Sequence, residues 1–151
     1  MQTSENKIKF SLGNTKLISK VIDGKFPDYK KVVPSKNEKS LIISSKDFIT
    51  SIERVMSVSL DRKEGVKLSI DKDNVKLSVN SANSGDGNEV INANFNSEKV
   101  NISFNSKYLI DIANEIEDKN LKMSLKDSVS PVLIEDVSDK DSYYVIMPMK
   151  I

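Results

Sequence analysis

The chemistry open to this chain is narrow, because its 151 residues include no histidine and no cysteine. That composition excludes imidazole bases, thiolate nucleophiles, disulfides and most structural zinc sites. Paired carboxylates can hold Mg²⁺, and an acidic group before the last predicted strand is the remaining candidate for catalysis: Glu135, Asp136, Asp139 and Asp141. No glycine-rich phosphate loop or nucleophile motif accompanies it in the sequence. An exposed acidic turn is the simpler interpretation, and a metal-dependent hydrolase is the alternative.

The carboxy-terminal strand is the second informative segment, because it is apolar on both faces. Strand alternation divides it into Val145, Met147 and Met149 on one face and Tyr144, Ile146 and Pro148 on the other. A proline in the last strand suits a sheet edge. One interpretation is burial on both faces. The other is that one face lines an exposed groove, for which methionine is suited because its side chain is flexible and polarizable.

Length and charge set limits on the function. The chain is long enough for one domain with a hydrophobic core. Its 23 basic and 22 acidic residues leave a net charge of +1, which argues against tight binding dominated by nucleic-acid phosphates. No segment approaches the roughly 20 apolar residues of a membrane span, and the first residues have no apolar signal core. We therefore expect a cytoplasmic protein.

Hydrophobic periodicity predicts strands interrupted by two helices. Strands are predicted at 7–12, 16–22, 40–43, 66–70, 75–79, 89–95, 100–104, 121–125, 131–135 and 143–149. Helical spacing predicts one helix from residue 45 to about residue 60 and another from residue 105 or 106 to residue 116. Prolines at both ends make residues 26–34 an extended connector, which the polar residues 35–39 continue. A domain boundary is expected near residue 34 or 35.

An internal repeat relates the two helices. The segment from Ser45 to Val55 aligns with the segment from Ser106 to Ile116, and both begin with Ser-Lys. A short strand precedes each helix, and the alternating strand 66–70 corresponds to the strand 121–125. Residues 40–151 are therefore predicted to form two β-α-β-β units. Their helices would lie side by side on antiparallel sheets in an α+β fold.

Four segments resemble the bacterial DNA polymerase III beta subunit, the sliding-clamp family. In chain order they are Lys20-Val-Ile-Asp-Gly-Lys-Phe-Pro-Asp-Tyr-Lys-Lys-Val-Val-Pro34, Phe104-Asn-Ser-Lys-Tyr-Leu109, Asp127-Ser-Val-Ser-Pro-Val132 and Tyr144-Val-Ile-Met-Pro-Met-Lys-Ile151. The resemblance implies a DNA clamp fold with three similar domains in each protomer, two protomers closing a ring around duplex DNA. It assigns residues 1–34 to the last hairpin of the second domain plus the connector, and residues 35–151 to the third domain. It also implies a processivity factor with no catalytic activity and no cofactor.

The resemblance further implies a pocket for short hydrophobic peptides of DNA polymerase III, the clamp loader and other clamp-binding proteins. The matching positions are Pro27, Lys31, Val32, Asn105, Tyr108, Val129, Pro131, Val145, Met147, Pro148, Met149, Lys150 and Ile151. Lys31 and Lys150 stand where arginine is common, which keeps the charge but loses the planar fork. Because part of the family's pocket comes from the second domain, we expect an incomplete site with reduced affinity.

The family's helices line the hole of the ring and contact phosphates loosely, without reading sequence. The candidate DNA-facing residues are Lys46, Arg54 and Lys107, and acidic residues on the same helices dilute this charge. Residues 84–95 resemble the interface edge of the homodimer ring, but only Asp86 and Glu89 are acidic there. We therefore expect this chain to be a monomer. A self-assembling structural β protein is the last alternative, because an unpaired edge strand can pair with another copy.

Overall fold

The described part of the computed structural model comprises residues 1–25, 28–59, 65–81, 85–139 and 141–150. Within those ranges lie two antiparallel sheets, of three and eight strands, and two α-helices. None of the helices in these ranges has the length and apolar character that crossing a bilayer requires.

The smaller sheet forms the amino-terminal part of the chain. Its strands are β1 (Gln2–Thr3), β2 (Lys7–Leu12) and β3 (Thr15–Lys20). The predicted hairpin of β2 and β3 is confirmed, and Gly13 takes φ +55° at its turn, a conformation that glycine adopts at no steric cost. Strand β3 ends at Lys20, earlier than the predicted end at residue 22, and β1 was not predicted. Leu12 and Leu17 are 86% and 62% exposed, and none of the described residues of this sheet belongs to the core of the larger one.

The larger sheet contains every strand of the repeat region. Its strands are β4 (Lys39–Ser44), β5 (Gly65–Ile70), β6 (Asn74–Ser81), β7 (Gly85–Phe95), β8 (Val100–Asn105), β9 (Asn120–Leu125), β10 (Val132–Asp136) and β11 (Tyr143–Ile146). They are ordered β11-β10-β9-β4-β7-β6-β5-β8, and each neighbouring pair is antiparallel. The predicted α+β class, with two helices against antiparallel strands, is confirmed.

Side chains at the strand ends start both helices. Ser44 Oγ accepts the N–H of Asp47 at 3.3 Å at the start of α1 (Ser45–Met56). Asn105 Oδ1 accepts the N–H of Lys107 at 3.0 Å at the start of α2 (Ser106–Asn114). Such caps satisfy N–H groups that have no partner in the first turn. Both helices end earlier than predicted, and at the end of α1 the Ser57 hydroxyl donates to the last-turn carbonyl of Arg54 at 2.7 Å.

One hydrophobic core lies between the helices and one face of the larger sheet. Alternate residues of each strand are buried, as in β6, where Val75, Leu77 and Val79 are at most 3% exposed. The helices add the buried side chains Phe48, Ile52, Val55, Leu109 and Ala113. Full burial of one such large aliphatic or aromatic side chain contributes roughly 1.5–3 kcal/mol. This shared core holds the helices against the sheet.

The two repeat units exchange their first strands. Strand β4 of the first unit pairs with β9 of the second, with Leu41 opposite Met123. Strand β8 of the second unit pairs with β5 of the first, with Ile102 opposite Leu68. Each unit also has a third strand after its helix, β7 or β11, which the predicted β-α-β-β unit omitted. The repeat is therefore a β-α-β-β-β unit, and the halves are interlocked.

The third strand of each unit closes the sheet. In the first unit β7 pairs with β6 and then with β4, where Asn94 lies opposite Ile42. In the second unit the Met149 N–H donates to the Ser103 carbonyl of β8 at 2.7 Å. Ser103 is the counterpart of Ile42, because each lies three residues before the first serine of the following helix. Strand β11 ends at Ile146, earlier than the predicted end at residue 149, and residues 147–150, called the tail below, join the two ends of the sheet through this bond.

The closure by the tail predicts an alternation in amide protection. Neighbouring residues of a strand direct their amides to opposite sides, so the Met149 amide faces β8 and the Lys150 amide faces away. We expect Met149 to exchange its amide hydrogen at least about tenfold more slowly than its random-coil rate, and Lys150 to exchange near its random-coil rate. Hydrogen exchange followed by NMR tests this in one sample. Equal and fast exchange at both amides would contradict the closure.

Candidate peptide-binding site

The outer face of the larger sheet, meaning the face turned away from α1 and α2, carries the tail methionines. Ile146 is 4% exposed and points into the core, whereas the next residue, Met147, is 62% exposed. Pro148 is half-buried, and Met149 is 37% exposed. This alternation agrees with the two faces expected from the sequence. It places the side chains of Met147 and Met149 on the outer face.

Met147 lies between two other predicted site residues. The β10–β11 pairing ends at Val132 and Ile146, and continuing its register by one residue sets Pro131 beside Met147. The first unit supports this step, because Asn74 pairs with Asn92 one residue beyond the corresponding pair of Val75 and Ile91. On the other side, continuing from the Met149–Ser103 hydrogen bond by two residues in each strand sets Asn105 beside Met147. In this extended register, Pro131, Met147 and Asn105 form a row across the sheet.

A groove of about 440 Å³ lies on the outer face at the end of the β10–β11 pair away from Met147. It is bordered by Leu133, by Tyr143 of β11 and by Val33 of the connector, so the connector reaches this strand pair. Its lining is mixed, because it also includes the charged residues Lys122, Glu135, Asp136 and Asp139. Pro131, Met147 and Asn105 are not among the residues that line it.

The connector contains a short helical turn, after which Val33 borders the groove and the preceding Val32 does not. Asp28 Oδ1 accepts the N–H of Lys30 at 3.2 Å and caps a 3₁₀ turn at Tyr29–Lys31. The predicted site residue Lys31 is exposed, and Val32 is 53% exposed at the end of this turn. The next residue, Val33, borders the groove. Sequence reasoning missed Val33 and Leu133, because the connector has no apolar period and Leu133 was assigned to an ordinary strand.

Asn37 fastens the connector to the sheet. Its side-chain Nδ2 donates to the Ser124 carbonyl at 2.8 Å and to the Pro131 carbonyl at 2.9 Å. Ser124 lies on the outer face opposite Leu133, yet it is only 8% exposed. Sequence reasoning assigned Asn37 to a polar linker and gave it no role. Only the fold shows that its carboxamide spans two distant carbonyls.

The predicted site residue Val129 is carried by a compact turn. Asp127 Oδ1 accepts the N–H groups of Val129 at 2.9 Å and of Ser130 at 2.7 Å. The Val129 and Ser130 hydrogen bonds hold the pKa of the Asp127 carboxyl below its usual range. Val129 itself is 63% exposed. The turn therefore presents an apolar side chain to solvent immediately before Pro131.

The remaining predicted site residues lie at the ends of segments. Tyr108 is 58% exposed in the first turn of α2, which follows Asn105. The carboxamide oxygen of Asn105 is engaged with the Lys107 N–H. Lys150 is exposed in the tail. Pro27 and Ile151 lie outside the described residues.

Two of the three cations expected to face DNA are matched by carboxylates of the same chain. Arg54 forms a bidentate ion pair with Glu89, in which Nε donates to Oε2 at 2.9 Å and Nη2 donates to Oε1. This hydrogen bonding holds the pKa of the Glu89 carboxyl below its usual range. Lys107 Nζ lies 2.7 Å from Asp111 one turn along α2. Lys46 is exposed on α1. Glu89, expected at an interface edge, is thus paired within the chain.

The acidic group considered for catalysis serves the fold. Asp136 is 5% exposed and accepts the Ser138 hydroxyl at 2.6 Å, the Ser138 N–H at 2.8 Å and the Glu117 N–H at 2.7 Å. The Ser138 hydrogen bonds, with those from Glu117 and its neighbour, lower the Asp136 pKa to about 2. Glu135 pairs with Lys122 at 3.1 Å. The described residues contain no acidic group able to hold a metal ion, and the hydrolase alternative finds no support.

Comparison with known sequences identifies relatives along the whole chain. The family model of the DNA polymerase III beta subunit, C-terminal domain, matches residues 30–150. The chain is 33% identical over 151 residues to the beta sliding clamp of Caulobacter vibrioides, and it covers 41% of that protein. It is 30% identical over 151 residues to the beta sliding clamp of Escherichia coli K12, again covering 41%. The chain thus spans about two fifths of these relatives.

Comparison with solved structures finds further DNA polymerase III beta subunits. The sliding clamp (DNA polymerase III subunit beta) of Bartonella birtlesii bound to griselimycin superimposes with a TM-score of 0.89 at 41% identity, over 98% of this chain and 40% of that one. The DNA polymerase III beta subunit of Thermotoga maritima superimposes with a TM-score of 0.83 at 27% identity, over 99% of this chain and 41% of that one.

Asp136→Asn tests the structural role of the acidic group. A carboxyl whose folded pKa of about 2 lies below its ordinary value of 3.8 stabilises the fold above the ordinary value, and this contribution disappears as the pH falls through about 2. We expect the variant to melt several degrees lower than the parent chain at pH 7. The difference should shrink as the pH falls from 4 to 2, because Asp136 takes up its proton in the unfolded chain first and in the folded chain only near pH 2.

Thermal unfolding followed by circular dichroism measures this difference. Asp86→Asn, which changes an exposed carboxylate on β7, is the matched control and should melt like the parent. A gap between Asp136→Asn and the parent that is the same at pH 2 as at pH 7 would show that the charge of Asp136 contributes nothing.

Proposed function

The chain belongs to the family of carboxy-terminal domains of the DNA polymerase III beta subunit, and on that premise we propose that it is the carboxy-terminal part of a sliding clamp. In this role it holds a DNA polymerase on its template by binding a peptide, and it catalyses no reaction. The observation that supports the proposal is the Met149–Ser103 hydrogen bond, which brings the tail with its exposed Met147 to β8, the strand that ends at Asn105. This bond joins two segments that are distant in the sequence.

The two sheets support a proposed division of the chain. Residues 1–34 correspond to the last hairpin of a clamp's second domain with the connector, and residues 35–151 to the third domain. The hairpin has its own three-stranded sheet, and its exposed Leu12 and Leu17 lie apart from the core of the repeat units. The 30–150 match with the family's C-terminal domain begins inside the connector.

The chemistry of the proposed site favours short apolar peptides. Met147 and Met149 give it adaptable walls, and the exposed Val129 and Tyr108 lie on neighbouring segments. Such a surface suits the clamp-binding peptides of DNA polymerase III, of the clamp loader and of other replication partners. Lys31 and Lys150 are exposed and supply single positive charges rather than the bidentate fork of arginine.

The proposed contact with duplex DNA belongs to a closed homodimeric ring in the cytoplasm. Lys46, Arg54 and Lys107 lie on the two helices, and the pairing of Arg54 and Lys107 with carboxylates leaves little free positive charge. Weak, sequence-independent phosphate contacts of this kind permit sliding. We expect this chain alone to bind DNA hardly at all, because isolated phosphate contacts are weak at physiological salt.

Titration of the chain with a fluorescently labelled clamp-binding peptide of a polymerase tests the proposal. We expect saturable binding that weakens by about 1–3 kcal/mol in Met147→Ala, since that change removes one apolar wall. The peptide should stay chemically intact throughout, because the proposed role involves no reaction. Fluorescence anisotropy gives the dissociation constants.

Val90→Ala is the matched control for this titration. Val90 is 59% exposed on β7, close to the 62% exposure of Met147, but it belongs to no part of the proposed site. The control should bind like the parent chain. Equal affinity of the parent and Met147→Ala, or no saturable binding by the parent, would count against the proposed function.

A further inference from the structure

We propose that Asn37 is a positioning residue of the peptide site, a role that rests on the proposed function. Asn37 does not belong to the groove lining or to the row formed by Pro131, Met147 and Asn105. Its carboxamide instead ties the connector to two carbonyls of the sheet. It would act by holding the walls of the site at a fixed distance from one another.

The two acceptors of Asn37 stand at the two ends of one loop. Ser124 lies near the end of β9, and Pro131 directly precedes β10. Between them runs the turn in which Asp127 accepts the N–H groups of Val129 and Ser130. Asp127 shapes the tip of this loop, and Asn37 joins its two ends. The exposed Val129 is therefore held at both the tip and the base of the loop.

Asn37 also connects this loop to the two other walls. Pro131, whose carbonyl accepts from Asn37, stands opposite Met147 in the β10–tail register. Asn37 lies in the polar segment that continues the connector, with residues 34–36 between it and Val33, which borders the groove. One half-buried carboxamide thus fixes the connector, the loop and the residue beside the tail relative to one another.

The chemistry of an amide is needed for this double contact. A carboxamide NH₂ has two hydrogens and can donate to two carbonyls at once. An ionised aspartate at this position would only accept, so it would face the Ser124 and Pro131 carbonyls with a negative charge. Alanine would leave both carbonyls without this donor. Neither substitution removes a side chain that borders the groove.

Asn37→Ala and Asn37→Asp test the role in the labelled-peptide titration. Loss of these hydrogen bonds should weaken the peptide by about fivefold or more, because a site with loose walls must be ordered on binding. Asn96→Asp is the control for the same chemical change, since Asn96 Oδ1 accepts the Ser40 N–H at 2.7 Å and an aspartate keeps that contact, losing only the long 3.5 Å donation from Nδ2 to the Glu38 carbonyl. The control should bind within about twofold of the parent. Melting curves establish that each variant is folded at the assay temperature.

A double-mutant cycle separates positioning from a general loss of stability. If Asn37 holds Pro131 beside Met147, the losses caused by Asn37→Ala and Met147→Ala should not add. Met147→Ala should then weaken the peptide by a clearly smaller factor in the Asn37→Ala chain than in the parent. Additive losses would show that Asn37 acts only on global stability and would overturn the positioning role.

Hydrogen exchange on the peptide-free chain tests directly whether the Asn37 side chain holds the connector to the loop. We expect the amides of Val33 and Val129 to exchange about tenfold faster in Asn37→Ala than in the parent. Both segments would lose the Asn37 hydrogen bonds that link them, so each would open more often. Unchanged exchange at both amides would overturn the inference whatever the peptide does. Absence of peptide binding by the parent would instead defeat the proposed function, and the exchange rates would still show whether Asn37 ties the connector to the loop.

Discussion

Exchange of first strands between the two repeat units is the constraint on which the rest of the molecule depends. Strand β4 lies between β9 and β7, and β8 pairs with β5 and, at Ser103, with the tail. Neither unit can therefore complete its own hydrogen-bonded ladder, and the two halves must fold together. The exchange also brings the tail to β8. The contact that closes the sheet, between Met149 and Ser103, therefore lies within the proposed peptide site.

Local patterns predicted most of the elements, because most strands of the larger sheet bury alternate residues on one face. In β6 the buried Val75, Leu77 and Val79 alternate with polar residues, and the cap at Ser44 was visible as a serine before an apolar helical run. The pairing of the strands was not predictable in this way. The repeat showed which segments are equivalent, but alternation contains no information on which strands pair, so the pairing of β4 with β9 of the other unit could not be read from it.

The sequence predicted some residues of the proposed site and missed others, because some positions depend on contacts between distant segments. The outward positions of Met147 and Met149 follow from strand alternation, and the family resemblance supplied the other positions. The 3₁₀ turn at Tyr29–Lys31 determines that Val33, rather than Val32, borders the groove, and no apolar period indicated that turn. Asn37 was beyond prediction from sequence, because an asparagine in a polar linker is usually solvated and its two acceptors lie far along the chain.

The two faces of the domain suit the proposed role in a ring that slides while it holds a partner. On the helix side, Arg54 and Lys107 are paired within the chain with Glu89 and Asp111, which would leave less free charge for phosphates. On the outer face, the exposed Met147 and Met149 offer apolar contact, which salt screens little. The core separates these two surfaces. Movement along a charged polymer therefore need not disturb the contacts that retain a peptide, and each face can change in strength without the other.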